Sequence, residues 1–184
     1  MEQANSKIGI YAAHFYPYIK LVQNEDLKTV LEDQMQETEA FFNSIPEEKY
    51  LYKYAPDKWS IKEVIQHIID TERVFAYRAL AFSRKDVHTL PSMDENSYAI
   101  NSDADKRKFQ DLIAEFKAVR QSSIFLFNSF SLSQLNEVGK ASDYEMSVKA
   151  MGYTIAGHVG FGTPIEIECR TSQDSNHLYH GTRR

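Results

Sequence analysis

A single cysteine, Cys169, among 184 residues forbids an intrachain disulfide and favours a reducing compartment. Glycine and proline are also scarce, at 7 and 5, which excludes collagen-like and low-complexity classes. No apolar run approaches the ~20 residues that cross a bilayer. The richest stretches, 8–18 and 124–127, are too short or are interrupted by His14 and Pro17. Met1 to Ser6 carry an acid and polar groups where a secretory signal would be basic. An excess of positive charge is missing too. Against 26 Asp and Glu stand 21 Lys and Arg, for a net charge of -5. The basic residues are dispersed, and Lys106-Arg107-Lys108 is flanked by Asp103 and Asp105, so the electrostatic footprint of a nucleic-acid binder is lacking. Together these absences predict a cytoplasmic protein with neither a membrane nor a nucleic acid as partner. A chain of this length buries enough surface to fold without staples.

What the chain has is helical periodicity. Leu27, Val30, Leu31, Met35, Thr38, Phe41 and Phe42 predict a first long helix over 25–43. A ring-rich segment at 50–59 follows and reads as a lid or plug across a bundle end. Ser60-Ile61-Lys62-Glu63 has the form of a capping box and opens a second helix reaching about Phe82. Periodicity fails from Arg84 to Ser102, a connection long enough to be mobile or functional. A third helix is expected from near Asp103, with Phe109, Leu112, Ile113, Phe116, Val119, Ser123 and Phe127 on one stripe. A fourth opens at Met146-Ser147-Val148. Four such helices predict an all-α, antiparallel four-helix bundle, with no strand pattern beside it. Gly160-Phe161-Gly162-Thr163-Pro164 should shorten the fourth helix, giving a bundle over 1–162 and an irregular, poorly ordered tail over 163–184.

Of the six histidines, His67 and His158 fall within the expected helices, at the margins of faces expected to meet in the bundle interior. Imidazoles there suit metal ligation, although a lone helical histidine is more often a hydrogen-bonded structural residue. Asp70 is the better placed of two carboxylates, with Glu72, to orient an imidazole from behind. Arg78, Arg84 and Arg120 are candidates for converging on an anionic cosubstrate, with ordinary ion pairing as the plainer alternative. Trp59 reads as a packing anchor, and Cys169 has no activating neighbour in sequence. No catalytic residue and no organic-cofactor motif is assigned.

The run Tyr54-Ala55-Pro56-Asp57-Lys58-Trp59-Ser60-Ile61-Lys62-Glu63-Val64-Ile65-Gln66-His67-Ile68-Ile69-Asp70-Thr71-Glu72-Arg73 is continued by Tyr77-Arg78-Ala79-Leu80. With the segment Leu90 to Ala99, Glu115-Phe116-Lys117-Ala118-Val119-Arg120 and Gly152-Tyr153-Thr154-Ile155-Ala156-Gly157-His158, it resembles the DinB-like superfamily over most of 15–159. These are metal-dependent four-helix-bundle proteins related to bacillithiol transferases. The resemblance implies a divalent metal, zinc or nickel, held by three histidines, and a small-molecule substrate handled in some relatives with a low-molecular-weight thiol. His67 and His158 match two of the ligand positions. The third falls on Gly162, which has no donor atom, and His177 and His180 in the tail are the candidates to replace it. The likeness stops at Val159, as a changed reading frame would make it do. The resemblance therefore implies a metal-dependent transferase or hydrolase weakened by loss of one ligand. The rival reading is a non-catalytic bundle without metal, kept for binding or for homodimerisation through its shortened end.

Overall fold

A computed structural model describes residues 2–5 and 7–161, with side chains over 7–160, and these described residues form two short hairpins and seven α-helices. In order they are β1 (Glu2–Asn5), β2 (Gly9–Ala12), α1 (Tyr16–Val22), α2 (Leu27–Ser44), α3 (Ile61–Ser83), α4 (Glu95–Asn101), α5 (Phe109–Asn128), α6 (Leu132–Leu135), β3 (Val138–Ala141), β4 (Tyr144–Ser147) and α7 (Val148–Phe161). Helices α2, α3, α5 and α7 form the bundle: α3 lies between α5 and α7, and α2 touches the same two from the other side. The predicted four-helix bundle is what the protein forms.

Local chemistry explains the helix starts. Ser60 accepts from the Glu63 amide at 3.1 Å while the Glu63 carboxylate accepts from the Ser60 amide at 2.7 Å, the reciprocal cap read from the sequence. Asp26 caps α2 by accepting from the Lys28 and Thr29 amides, both at 3.1 Å, so the first long helix begins at Leu27 and not at residue 25. The cores follow from the apolar stripes. Phe42, Ile61, Ile65, Leu112 and Phe116 fill one end of the bundle. Leu31, Phe82, Phe127, Met151 and Ile155 fill the other. Each such side chain stabilises the fold by about 1.5–3 kcal/mol.

The third long helix starts at Phe109, six residues after the expected Asp103. Asp103 has a positive φ of 53° and leads into a single 3-10 turn. That segment is tied to the start of α3, because Lys62 Nζ donates to the Asp105 and Arg107 carbonyls at 3.2 and 2.6 Å. A tertiary tether has overridden a local helix signal.

The two hairpins are a second correction. β1 pairs with β2 and β3 with β4, both antiparallel. Strands of 4 residues are too short to show a period-2 pattern above background. The connection after α3 is also more structured than the failed periodicity suggested. It contains α4, and Leu90 exchanges backbone hydrogen bonds with Lys140 and Ser142 at 3.0 and 2.8 Å, pinning the segment to the second hairpin. In the ring-rich segment Tyr50 stacks on Phe109 with centroids 3.7 Å apart, whereas Leu51, Tyr52 and Tyr54 stay exposed. Only the ends of that segment pack as a plug would.

Helix α1 crosses α7 closely enough that a Cβ added at Gly157 would overlap the Tyr18 carbonyl; this position requires glycine for the approach. Gly162, His177, His180, Cys169, the expected shortening of the fourth helix and the expected tail lie outside the described residues, as does the end surface on which a homodimer was expected. Among the described residues, no helix is long and apolar enough to cross a membrane.

Candidate metal and small-molecule site

Helical periodicity places His67, Thr71 and Arg78 on one face of α3, since four and eleven residues are close to one and three whole turns. The same rule aligns Thr154 and His158 on α7. These two faces meet across a cavity of about 570 Å³, whose wall also includes Trp59, Phe75 and Tyr144. The sequence predicted that His67 and His158 would face each other, and their ring centroids lie 5.0 Å apart with planes at 70°. Trp59 covers His67 at 4.7 Å, and Tyr18 packs edge-on against His158 at 5.3 Å. Thr71 Oγ1 sits 3.4 Å from His67 Nδ1, a long contact whose polarity depends on the ring tautomer.

Burial sets the protonation of the pair. Desolvation pushes the His67 pKa down to about 4. His158 is pushed down to about 3 by desolvation and then by the neighbouring His67. Both rings are therefore neutral at pH 7, each with a lone pair available to a Lewis acid. Two imidazoles bonded through nitrogen to one tetrahedral ion at ~2.0–2.1 Å have their centroids about 5 Å apart. The spacing and the neutral state thus fit two coordination positions of a divalent ion. Among the described residues, no group of three or more His, Cys, Asp or Glu comes together in a way that could hold a metal.

The other sequence candidates separate. Asp70 is not on the cavity wall. Its carboxylate accepts from Gln66 Nε2 at 2.9 Å and lies 3.7 Å from Arg73 Nη1, so it is engaged along α3 itself and not with the His67 ring. Glu72 is taken up by Arg120, which donates to both of its oxygens at 2.8–3.1 Å in the bundle interior. The three arginines do not converge. Arg84 donates to Ser83 Oγ and lies over the Phe130 ring, and only Arg78 reaches the cavity. There it donates to Tyr144 Oη at 3.1 Å and to the Pro91 carbonyl at 2.7 Å.

Sequence reasoning missed His14, Tyr18, Tyr144 and Thr154, all on the cavity wall. His14 and Tyr144 are brought there by the short hairpins and the 3-10 turn after β2, which carry no periodic signal. Thr154 was visible, being one helical turn before His158 on the face already singled out. Its hydroxyl is buried without a hydrogen-bond partner among the described residues.

Residues 31–161 match the family model of the DinB superfamily. Among solved structures the chain is similar to YfiT from Bacillus subtilis, described as a probable metal-dependent hydrolase with an unusual four-helix bundle topology. The two share 12% sequence identity at a TM-score of 0.67, over 91% of this chain and 93% of that one. No curated protein matches.

Proposed function

The chain belongs to the DinB superfamily, and from that premise we propose that it binds a divalent metal ion, zinc or nickel, through His67 and His158 and acts on a small molecule held in the adjoining cavity. The reaction class proposed is hydrolysis, or transfer to a low-molecular-weight thiol. The observation that carries this reading is the pair of neutral imidazoles 5.0 Å apart at the cavity wall. The description of YfiT as a probable metal-dependent hydrolase supports the same direction. A divalent ion bound there supplies Lewis acidity and makes a contacting water or thiol easier to deprotonate at neutral pH.

The chain's own residues supply the rest. His67 and His158 offer neutral nitrogen donors because their burial keeps protons off. Trp59 and Tyr18 fix the ring planes by packing on them and exclude water from one side of each. The cavity beside them accepts a small molecule and not a polymer. With Gly162 at the family's third ligand position, affinity is expected to be weaker than that of a three-histidine site.

The test is zinc and nickel titration of chelator-treated, tag-free protein by calorimetry, comparing the parent with His67→Ala, His158→Ala and Gly162→His. The expected result is one weak site that both alanine variants abolish and the Gly162→His variant strengthens. A chain that takes up neither metal, in parent or histidine variant, is the non-catalytic bundle of the rival reading.

A further inference from the structure

We infer that Arg78 is the recognition point for an oxyanion, a carboxylate or a phosphate ester, carried by the small molecule that occupies the cavity. The inference deepens the proposed function, since it takes the same cavity as the substrate site, but it does not require the metal.

Arg78 is only 4% exposed, yet no carboxylate among the described residues pairs with it. Its two hydrogen bonds go to neutral acceptors, Tyr144 Oη and the Pro91 carbonyl, and its guanidinium lies 5.2 Å from the centroid of the Phe75 ring, which carries no counter-charge. A guanidinium carries five N–H donors and a full positive charge, so it is left short of both acceptors and counter-charge in a place where an uncompensated charge is costly. The other buried arginine among the described residues is not left so. Arg120, at 0% exposed, is neutralised by two-pronged contact with Glu72. The acid on the cavity wall, Glu95, is exposed and makes no ion pair with Arg78 among the described residues.

Two further features point to a ligand in the same space. The Thr154 hydroxyl, 2% exposed and on the cavity wall, has no partner among the described residues, although buried hydroxyls are ordinarily satisfied. The bonds from Arg78 to Tyr144 and Pro91 hold the planar fork in place, which suits recognition of a flat or tetrahedral oxyanion better than a freely swinging lysine would. Arg78 and His67 share one face of α3 three turns apart, a separation of about 16 Å along the axis at the backbone. A ligand can therefore place its anionic end at Arg78 and its reacting centre toward the histidine pair, past the apolar wall of Phe75 and Ile68.

The probes are 4-phenylbutyrate, its neutral counterpart 4-phenylbutanamide, and 3-phenylpropyl phosphate. Binding is followed through Trp59, the sole tryptophan, which lines the cavity. With chelator present throughout, the expected result is binding of an anionic probe at least about tenfold tighter than the amide, a preference lost in Arg78→Gln and kept in His67→Ala. Tighter binding of the phosphate than of the carboxylate, with the same dependence on Arg78, assigns the site to phosphate esters. Equal binding of acid and amide, or a folded Arg78→Gln protein that keeps the preference, overturns the inference. Should Arg78→Gln not fold, the acid and amide comparison in the parent decides by itself. A preference that appears only when zinc is added also overturns it while leaving the metal reading intact. Conversely, an anion preference in a chain that binds no metal sinks the proposed function and leaves this inference standing.

Discussion

Arg120 and Arg78 are both nearly sealed from solvent on neighbouring helices, and the protein treats them in opposite ways. Arg120 meets a carboxylate that is itself 2% exposed, donates a long further bond to Gln34 Oε1 at 3.4 Å, and lies over the Phe116 ring. Arg78 meets a phenol and a carbonyl, lies over the Phe75 ring as Arg120 does over Phe116, and looks into a cavity without a carboxylate partner among the described residues. Charge closed within the protein serves the fold, because it is compensated whatever binds. Charge left open at a cavity wall has a use only when something enters. The two faces of α3 therefore carry different burdens, Glu72 closing a charge against α5 and Arg78 leaving one open at the cavity.

The largest test of that contrast is to open the closed pair. Glu72→Ala leaves the Arg120 guanidinium buried without its partner and is expected to destabilise the protein by about 3–5 kcal/mol, measured by urea denaturation. The double variant Glu72→Leu, Arg120→Met should recover most of the loss, since two apolar side chains replace a pair whose desolvation is costly. Equal losses in the single and double variants would show that the pair's value is shape and not charge.

A smaller effect is expected where α1 rests on α7. Gly157→Ala sets a methyl group against the Tyr18 carbonyl and should cost about 1–3 kcal/mol. Because Tyr18 packs on His158, the same change should also weaken zinc binding. A stability loss with metal affinity unchanged would separate the positioning of α1 from the site.

Arg78→Gln should cost less again, at most about 1–2 kcal/mol, because no buried carboxylate is orphaned by its removal. Denaturation of Arg78→Gln beside Glu72→Ala compares the two arginine environments directly. If both cost the same, Arg78 is a structural cation and its openness to the cavity carries no meaning.

How much of this was legible in the sequence follows from where the signals are local. The Ser60 to Glu63 cap and the apolar stripes on α2, α3 and α5 are short-range patterns, and they give the bundle and the meeting of His67 with His158. The hairpins were not legible, because four-residue strands offer too few alternations. With them went His14 and Tyr144, whose position depends on pairing to distant chain. The tether from Lys62 to the Asp105 and Arg107 carbonyls shows the same limit at a helix start: the local pattern puts the start near Asp103, and a contact about forty residues away in sequence accompanies its shift to Phe109. Arg78 and Arg120 look alike in sequence for the same reason. Each needs a partner from another helix or hairpin, and only the fold says which one finds a carboxylate.

A further expected effect concerns pH, and it distinguishes the cavity face of α3 from the face that meets α5 without breaking either. In chelator-treated protein the folded state holds the His67 and His158 pKa values at about 4 and about 3, against about 6.5 for an unfolded histidine. Between those limits the unfolded chain binds protons that the native chain refuses. Stability should therefore be unaffected above about pH 7 and fall as the pH drops from 6.5 toward 4. Replacing His67 by Phe, which keeps a ring against Trp59, removes one of the two groups responsible, so its melting temperature should fall less steeply across that window than the parent's. The Glu72 and Arg120 pair, whose counter-charges are already matched, should leave that difference in slope unchanged when replaced by Leu and Met. Parallel melting curves for the parent and His67→Phe between pH 6.5 and 4.5 would mean that the cavity admits protons freely, and that its two imidazoles are not the dry, neutral donors on which a metal site there depends.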